Sequence, residues 1–119
     1  MEDVFKSLRH IMQKHAGSLN VMVDADDHYY LDTYHIQKNK KPLYFGGVKI
    51  QKNYVSYYLM PVYTNPELVE DLSADLTKRR QGKSCFNFKT ADQALFDEMS
   101  DITKRAFESY QAQGFIDAS

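Results

Sequence analysis

The chain has 119 residues, of which 43% are hydrophobic and 26% charged, with a formal net charge of -1. That is enough chain for one ordinary domain with its own core, so residues 1–119 are expected to form a single unit without a stapling metal or disulfide. The near-neutral balance argues against nucleic acid as a partner, and no stretch reaches the roughly 18 consecutive apolar residues of a membrane span. Cys85 stands alone, and the acidic start Met1-Glu2-Asp3 is wrong for a secretory leader; both lead to the expectation of a reducing, cytoplasmic setting.

In chain order, Val4, Phe5, Leu8, Ile11 and Met12 follow helical spacing, and Gly17 supplies the expected stop. Leu19, Val21 and Val23 alternate as a strand does. His28 to Ile36, rich in Tyr, Thr and Ile, predicts a second strand, and Gln37 to Lys41 reads as a turn.

Pro42 to Tyr63 predicts a hairpin turning at Lys52-Asn53, with Asn tolerating the positive φ that such turns require. In that register Ile50 faces Val55, Val48 faces Tyr57 and Gly46 faces Leu59 on one apolar side. Lys49 faces Ser56, Gly47 faces Tyr58 and Phe45 faces Met60 on the other. A slip of one residue would bury Lys49, which fixes the register. Tyr58 is expected to cover the gap left by Gly47.

Thr64-Asn65-Pro66-Glu67 carries a capping side chain, a proline and an acid, and predicts a helix with Leu68, Val69, Leu72 and Leu76 on its inner face. Lys78, Arg79 and Arg80 suit its last turn, and Gly82 its end. Cys85 to Phe88 alternates as a short strand. Thr90-Ala91-Asp92-Gln93 reads as a capping box for a final helix that buries Leu95, Phe96, Met99, Ile102, Ala106, Phe107 and Tyr110 and stops at Gly114. The sum is an α+β fold: a single-domain two-layer sandwich with a largely antiparallel sheet of about five strands and helices on one face.

Chemistry-bearing residues concentrate between positions 24 and 35. Asp24, Asp26, His28 and Asp32 share parity in an extended strand and, with Asp27, offer oxygen and nitrogen ligands to a divalent metal such as iron. Counted from Asp24, a calcium loop needs Gly where Tyr29 stands and Glu where His35 stands, so that motif is excluded. Thr77 to Ser84 ends like a phosphate-binding loop but lacks the opening glycine and follows a helix, which excludes that motif too. The tyrosines of the strands suggest a stacking surface, although few basic residues accompany them. Cys85 has only Lys83 nearby in sequence to activate it, and the histidines are scattered, so catalysis has little support.

The run GGVKIQKNYVSYYLMPVY, the following PELVEDLSADLTKRRQGKSCFNF and the closing amphipathic helix resemble the YdhG-like family, bacterial domains of unknown function placed near the frataxin-like superfamily. The resemblance covers roughly residues 28 to 112 and implies a small α+β sandwich. Some members of that superfamily are iron chaperones that use acidic residues on the first helix and adjoining strand. Here the first helix places Lys6, Arg9 and Lys14 beside Glu2 and Asp3, so the acidic role falls to Asp24, Asp26, Asp27, His28 and Asp32. Two functions are expected: a non-enzymatic binding protein taking iron or another divalent metal through that cluster, or a module binding a small molecule or protein on the hairpin face of Lys49, Ser56 and Tyr58. Phe45, Tyr58 and Met60 would anchor a homodimer formed on the same face.

Overall fold

A computed structural model describes residues 1–117. Six strands form one antiparallel sheet: β1 (Asn20–Asp24), β2 (His28–Ile36), β3 (Pro42–Ile50), β4 (Val55–Leu59), β5 (Arg80–Gln81) and β6 (Cys85–Phe88). They lie in the order β1-β2-β3-β4-β6-β5, so every neighbour but one follows from a direct chain connection. The helices are α1 (Glu2–Gln13), α2 (Met60–Thr64), α3 (Ala74–Arg79) and α4 (Gln93–Ala112). The α+β class and the single compact unit are as expected, and the strand beyond about five is the two-residue β5.

One face of the sheet is roofed by α1 and α4, because both carry an apolar stripe that water disfavours. Val4, Phe5, Leu8, Ile11 and Met12 of α1 and Leu95, Phe96, Met99, Ile102, Ala106 and Tyr110 of α4 are buried against Tyr29, Leu31, Val48, Val55, Tyr57, Leu59, Phe86 and Phe88 of the strands. Tyr57 crosses this core and shares a 2.7 Å hydrogen bond with Thr103 of α4, whose hydroxyl donates onward to the Met99 carbonyl. The phenol therefore donates, and no polar group of the trio is left unpaired. Burial in that setting raises the Tyr57 pKa well above the usual phenol value, with Thr103 opposing the shift. At the far end of α4, Gly114 adopts φ +83° while the Phe115 amide donates to the Tyr110 carbonyl, closing the helix as expected.

The hairpin register holds at five pairs, from Gly46↔Leu59 to Ile50↔Val55, closed by Gln51 N–H donating to the Tyr54 carbonyl. Its expected details differ in two respects. Among the described residues Lys40, not Asn53, is the non-glycine with positive φ. The pairing Phe45 with Met60 is absent, since β4 ends at Leu59 and Met60 starts α2. Phe45 itself lies in the core, 0% exposed, edge-on to Phe107 and Tyr110. The cause is a β-bulge: Leu31 pairs with Gly46 while Asp32 pairs with Tyr44, so Phe45 is the extra residue and turns inward. A dimer seam anchored by Phe45 and Met60 is therefore corrected, because the first is buried and the second belongs to a helix.

The helix expected from Pro66 onward is also interrupted. Pro66–Val69 forms a 3-10 turn, and α3 begins only after Ser73, whose hydroxyl accepts from the Leu76 amide. Asn65 has φ -132° and caps nothing with its side chain; Pro61, near the start of α2, opens an earlier helix that the sequence reading missed. At α4 the cap is Asp92, accepting from the Leu95 amide, rather than Thr90. Among the described residues no helix is long and apolar enough to cross a membrane.

The centre of the sheet is Gly46-Gly47. A Cβ on Gly46 would stand 2.6 Å from the Met12 terminal methyl and 2.6 Å from the Tyr58 carbonyl oxygen, which belongs to the ladder and cannot retreat. Gly46→Ala is expected to destabilise by about 1–3 kcal/mol, whereas Gly17→Ala, facing open space, is expected to stay within about 1 kcal/mol of the parent. Urea unfolding of the two variants measures both.

Candidate functional site

The face of the sheet turned away from α1 and α4 has an ordered composition set by the register. His28, Lys49, Ser56 and Asn87 form one row across β2, β3, β4 and β6. Tyr30, Gly47, Tyr58 and Cys85 form the next, and Asp32 and Tyr44 a third. Paired residues in a ladder point to the same side, so these side chains share one surface. The expected hairpin residues Lys49, Ser56 and Tyr58 all lie there.

Tyr44 organises this surface. Its ring stacks on Tyr30 with centroids 4.5 Å apart, and its hydroxyl reaches within 2.8 Å of where a Gly47 Cβ would be. The aromatic covering Gly47 is thus Tyr44 rather than the expected Tyr58, because the bulge at Phe45 leaves Tyr44 on the open side. Burial, followed by the nearby Tyr30, Tyr58, Asp32 and Cys85, raises the Tyr44 pKa far above the phenol value. The phenol is neutral at any physiological pH.

Asp32 lies beside these rings and is 6% exposed. Burial raises its pKa, and the Tyr30 hydroxyl draws it partly back. Among the described residues no ion pair reaches this carboxylate; the pairs present are Met1 with Asp3, Arg9 with Asp24 and Arg105 with Asp101. A recessed acceptor without a countercharge is an unusual group to place on a face the core does not need.

In the adjoining rows Ser56, only 2% exposed, donates to Asn87 Oδ1 at 2.9 Å, and the Cys85 thiol points at the same oxygen at 3.5 Å. Burial pushes the Cys85 thiol up, against smaller opposing effects of Ser56 and Tyr58, so it stands as a neutral thiol at pH 7. Its geometry is that of a structural cysteine.

The metal-ligand set does not assemble. The chain reverses at Ala25, whose amide donates to the His28 carbonyl at 2.8 Å, so Asp24 and His28 do not share a strand. Asp24 pairs with core-facing Tyr29 and meets Arg9 of α1 at 3.9 Å on the helical side, with Asp26 nearby across a hollow also lined by Arg9. His28 and Asp32 face the other side, and Asp27 is exposed in the turn. Among the described residues no group of three or more His, Cys, Asp or Glu side chains converges tightly enough to hold a metal ion. The shared parity assumed for Asp24, Asp26, His28 and Asp32 fails at the turn, and these residues do not fit an iron site. His35 is equally committed, packed on Phe115 at 4.6 Å.

Sequence reading located Lys49, Ser56 and Tyr58, and it noted Asp32 in a different role. It missed Tyr30, Tyr44 and Asn87. Tyr30 and Asn87 were within reach, since Tyr30 shares parity with His28 and Asn87 with Cys85. Tyr44 was not, because its side depends on the bulge.

Two measurements follow. Because the folded-state pKa of Asp32 is raised, its contribution favours folding below the unfolded carboxylate value and is lost as pH rises through the folded one. Asp32→Asn is therefore expected to raise Tm at pH 7, with the gain shrinking toward pH 3, in thermal melts across that range. Cys85 is expected to react with iodoacetamide at pH 7 about tenfold or more slowly than free cysteine, followed by mass spectrometry.

No family model, curated protein or solved structure matches the chain.

Proposed function

We propose that the protein is a ligand-binding domain that works without turnover, and that its site is the open face of the sheet. The ligand is a small planar molecule with a cationic or N–H donor end. The Tyr30 and Tyr44 ring pair and Tyr58 offer π surface to its plane, and Asp32 accepts from its donors. Ser56 and Asn87 are already bonded to each other and hold the floor, while exposed Lys49 stands beside Ser56 in the row farthest from Asp32. The carrying observation is Asp32: a nearly buried carboxylate, without an ion-pair partner among the described residues, on the side of the sheet turned away from α1 and α4.

A binding role agrees with the YdhG-like resemblance, which brings no assigned activity. The iron-chaperone version of that resemblance is the weaker reading, since its donors are divided between the two sides of the sheet.

Benzamidine, a planar aromatic cation, is a suitable probe, with benzoate as its anionic counterpart. Amide shifts in the labelled protein are expected to saturate with benzamidine around Tyr30, Asp32, Tyr44 and Tyr58 and to stay still there with benzoate. Asp32→Asn is expected to weaken the interaction by about tenfold, the size of a lost charge-assisted hydrogen bond. Equal responses to both probes, or an unchanged affinity in Asp32→Asn, would sink the assignment.

A further inference from the structure

We propose a second binding site in the helical layer: the groove between α1 and the first turns of α4 takes a small aromatic phosphate monoester. The groove has a volume of about 360 Å³, within the range of small-molecule sites. It shares no residue with the sheet face and does not depend on that reading.

The wall from α1 carries Lys6, His10 and Lys14, spaced four residues apart and therefore in a line along one side of the helix. Glu2 heads the same line one turn before Lys6, and no acid of α1 stands between Lys6 and Lys14. Among the described residues neither lysine forms an ion pair; Lys14 donates only to the Ser100 hydroxyl, at 3.3 Å. The backbone positions of Lys6 and Lys14 are about 12 Å apart along the axis, with His10 between them, and each lysine stem is long enough to bring its ammonium toward a compact dianion held centrally. A phosphate monoester supplies that charge where a carboxylate supplies half of it.

The floor is apolar. Ile11 and Phe96 line it from the two helices, and the Phe96 ring gives a planar body something to lie against. The far wall sets the remaining specificity. Its one carboxylate, Asp97, accepts from the Gln93 amide at 2.7 Å. It repels a second anionic group and accepts from a donor on the ring, so the ligand carries phosphate at the α1 side and a hydroxyl or amine toward α4. Residues 93–100 of α4 form this wall, and the N-cap Asp92 already accepts from the Leu95 amide, so the anion belongs with the lysines of α1.

The test is calorimetric titration of the full chain with 4-aminophenyl phosphate, with inorganic phosphate and 4-aminophenol as the separate halves of the probe. Saturable binding tighter than either half by about tenfold is expected, because the two halves then act as one molecule. The double variant Lys6→Gln, Lys14→Gln should lose about tenfold or more in affinity, while Lys38→Gln, the same kind of charge change on a remote turn, should stay within about twofold. Both lysines are exposed, and circular dichroism of the double variant is expected to match the parent. Amide shifts should centre on Ile11, Phe96 and Ser100. Absence of saturable binding, equal weakening by Lys38→Gln, or shifts centred on the sheet face would each overturn the site.

Discussion

Two adjacent glycines at the middle of β3 set how close anything can come to the sheet, and both layers of the molecule are arranged around that closeness. Above Gly46 the Met12 side chain descends until its methyl lies 2.6 Å from where a Cβ would be, which seats α1 on the strands. Below Gly47 the Tyr44 hydroxyl occupies the corresponding space on the other side. One helix and one aromatic cluster thus use consecutive residues of the same strand from opposite faces. Any side chain at either position pushes against a ladder carbonyl, that of Tyr58 or that of Tyr29, so the strain would enter the backbone rather than a movable side chain.

The bulge beside this pair converts the packing constraint into surface chemistry. Without it Phe45 would project onto the open face and Tyr44 into the core. With it Phe45 fills the space between Phe107 and Tyr110, and Tyr44 stays outside to stack on Tyr30. Tyr110 benefits as well, since its hydroxyl donates to the Tyr44 carbonyl at 3.0 Å and so ties α4 to the bulged strand. The stacking surface of the proposed site and the anchoring of the longest helix are therefore consequences of one inserted residue.

This explains what the sequence did and did not disclose. Periodicity revealed α1, β2, β6 and α4 closely, because each buries one face and the alternation or the helical spacing is written in residue type. The hairpin register was legible for the same reason: a slip would have placed Lys49 in the core. The bulge was not legible, since Leu43-Tyr44-Phe45 is apolar or aromatic throughout and gives no parity signal to break. Thr64 to Glu67 misled through a local cap pattern that tertiary structure overrode, with Pro61 and Ser73 opening the helices that formed. The acidic cluster misled differently. Its parity was sound only if the strand continued, and the reversal at Ala25 divided the donors between two sides.

That division bears on electrostatics more generally. A net charge of -1 suggests a bland surface, yet each face of the sheet has its own local charge pattern. The open sheet face keeps a carboxylate, Asp32, among neutral phenols where desolvation works against its ionisation. The helical layer aligns Lys6 and Lys14 over apolar side chains with one bonded carboxylate opposite. Arg9 stands between the layers, stretched over the Phe5 ring at 5.3 Å toward Asp24, with its Nε buried and unpaired. That contact ties α1 to the end of β1, and the adjoining hollow brings Lys6 together with Glu2 and Asp26. The two proposed sites, one for a donor-bearing ligand on the open face and one for an anion in the helical groove, draw on local charge rather than on the net charge, from opposite sides of the strand that carries Gly46 and Gly47.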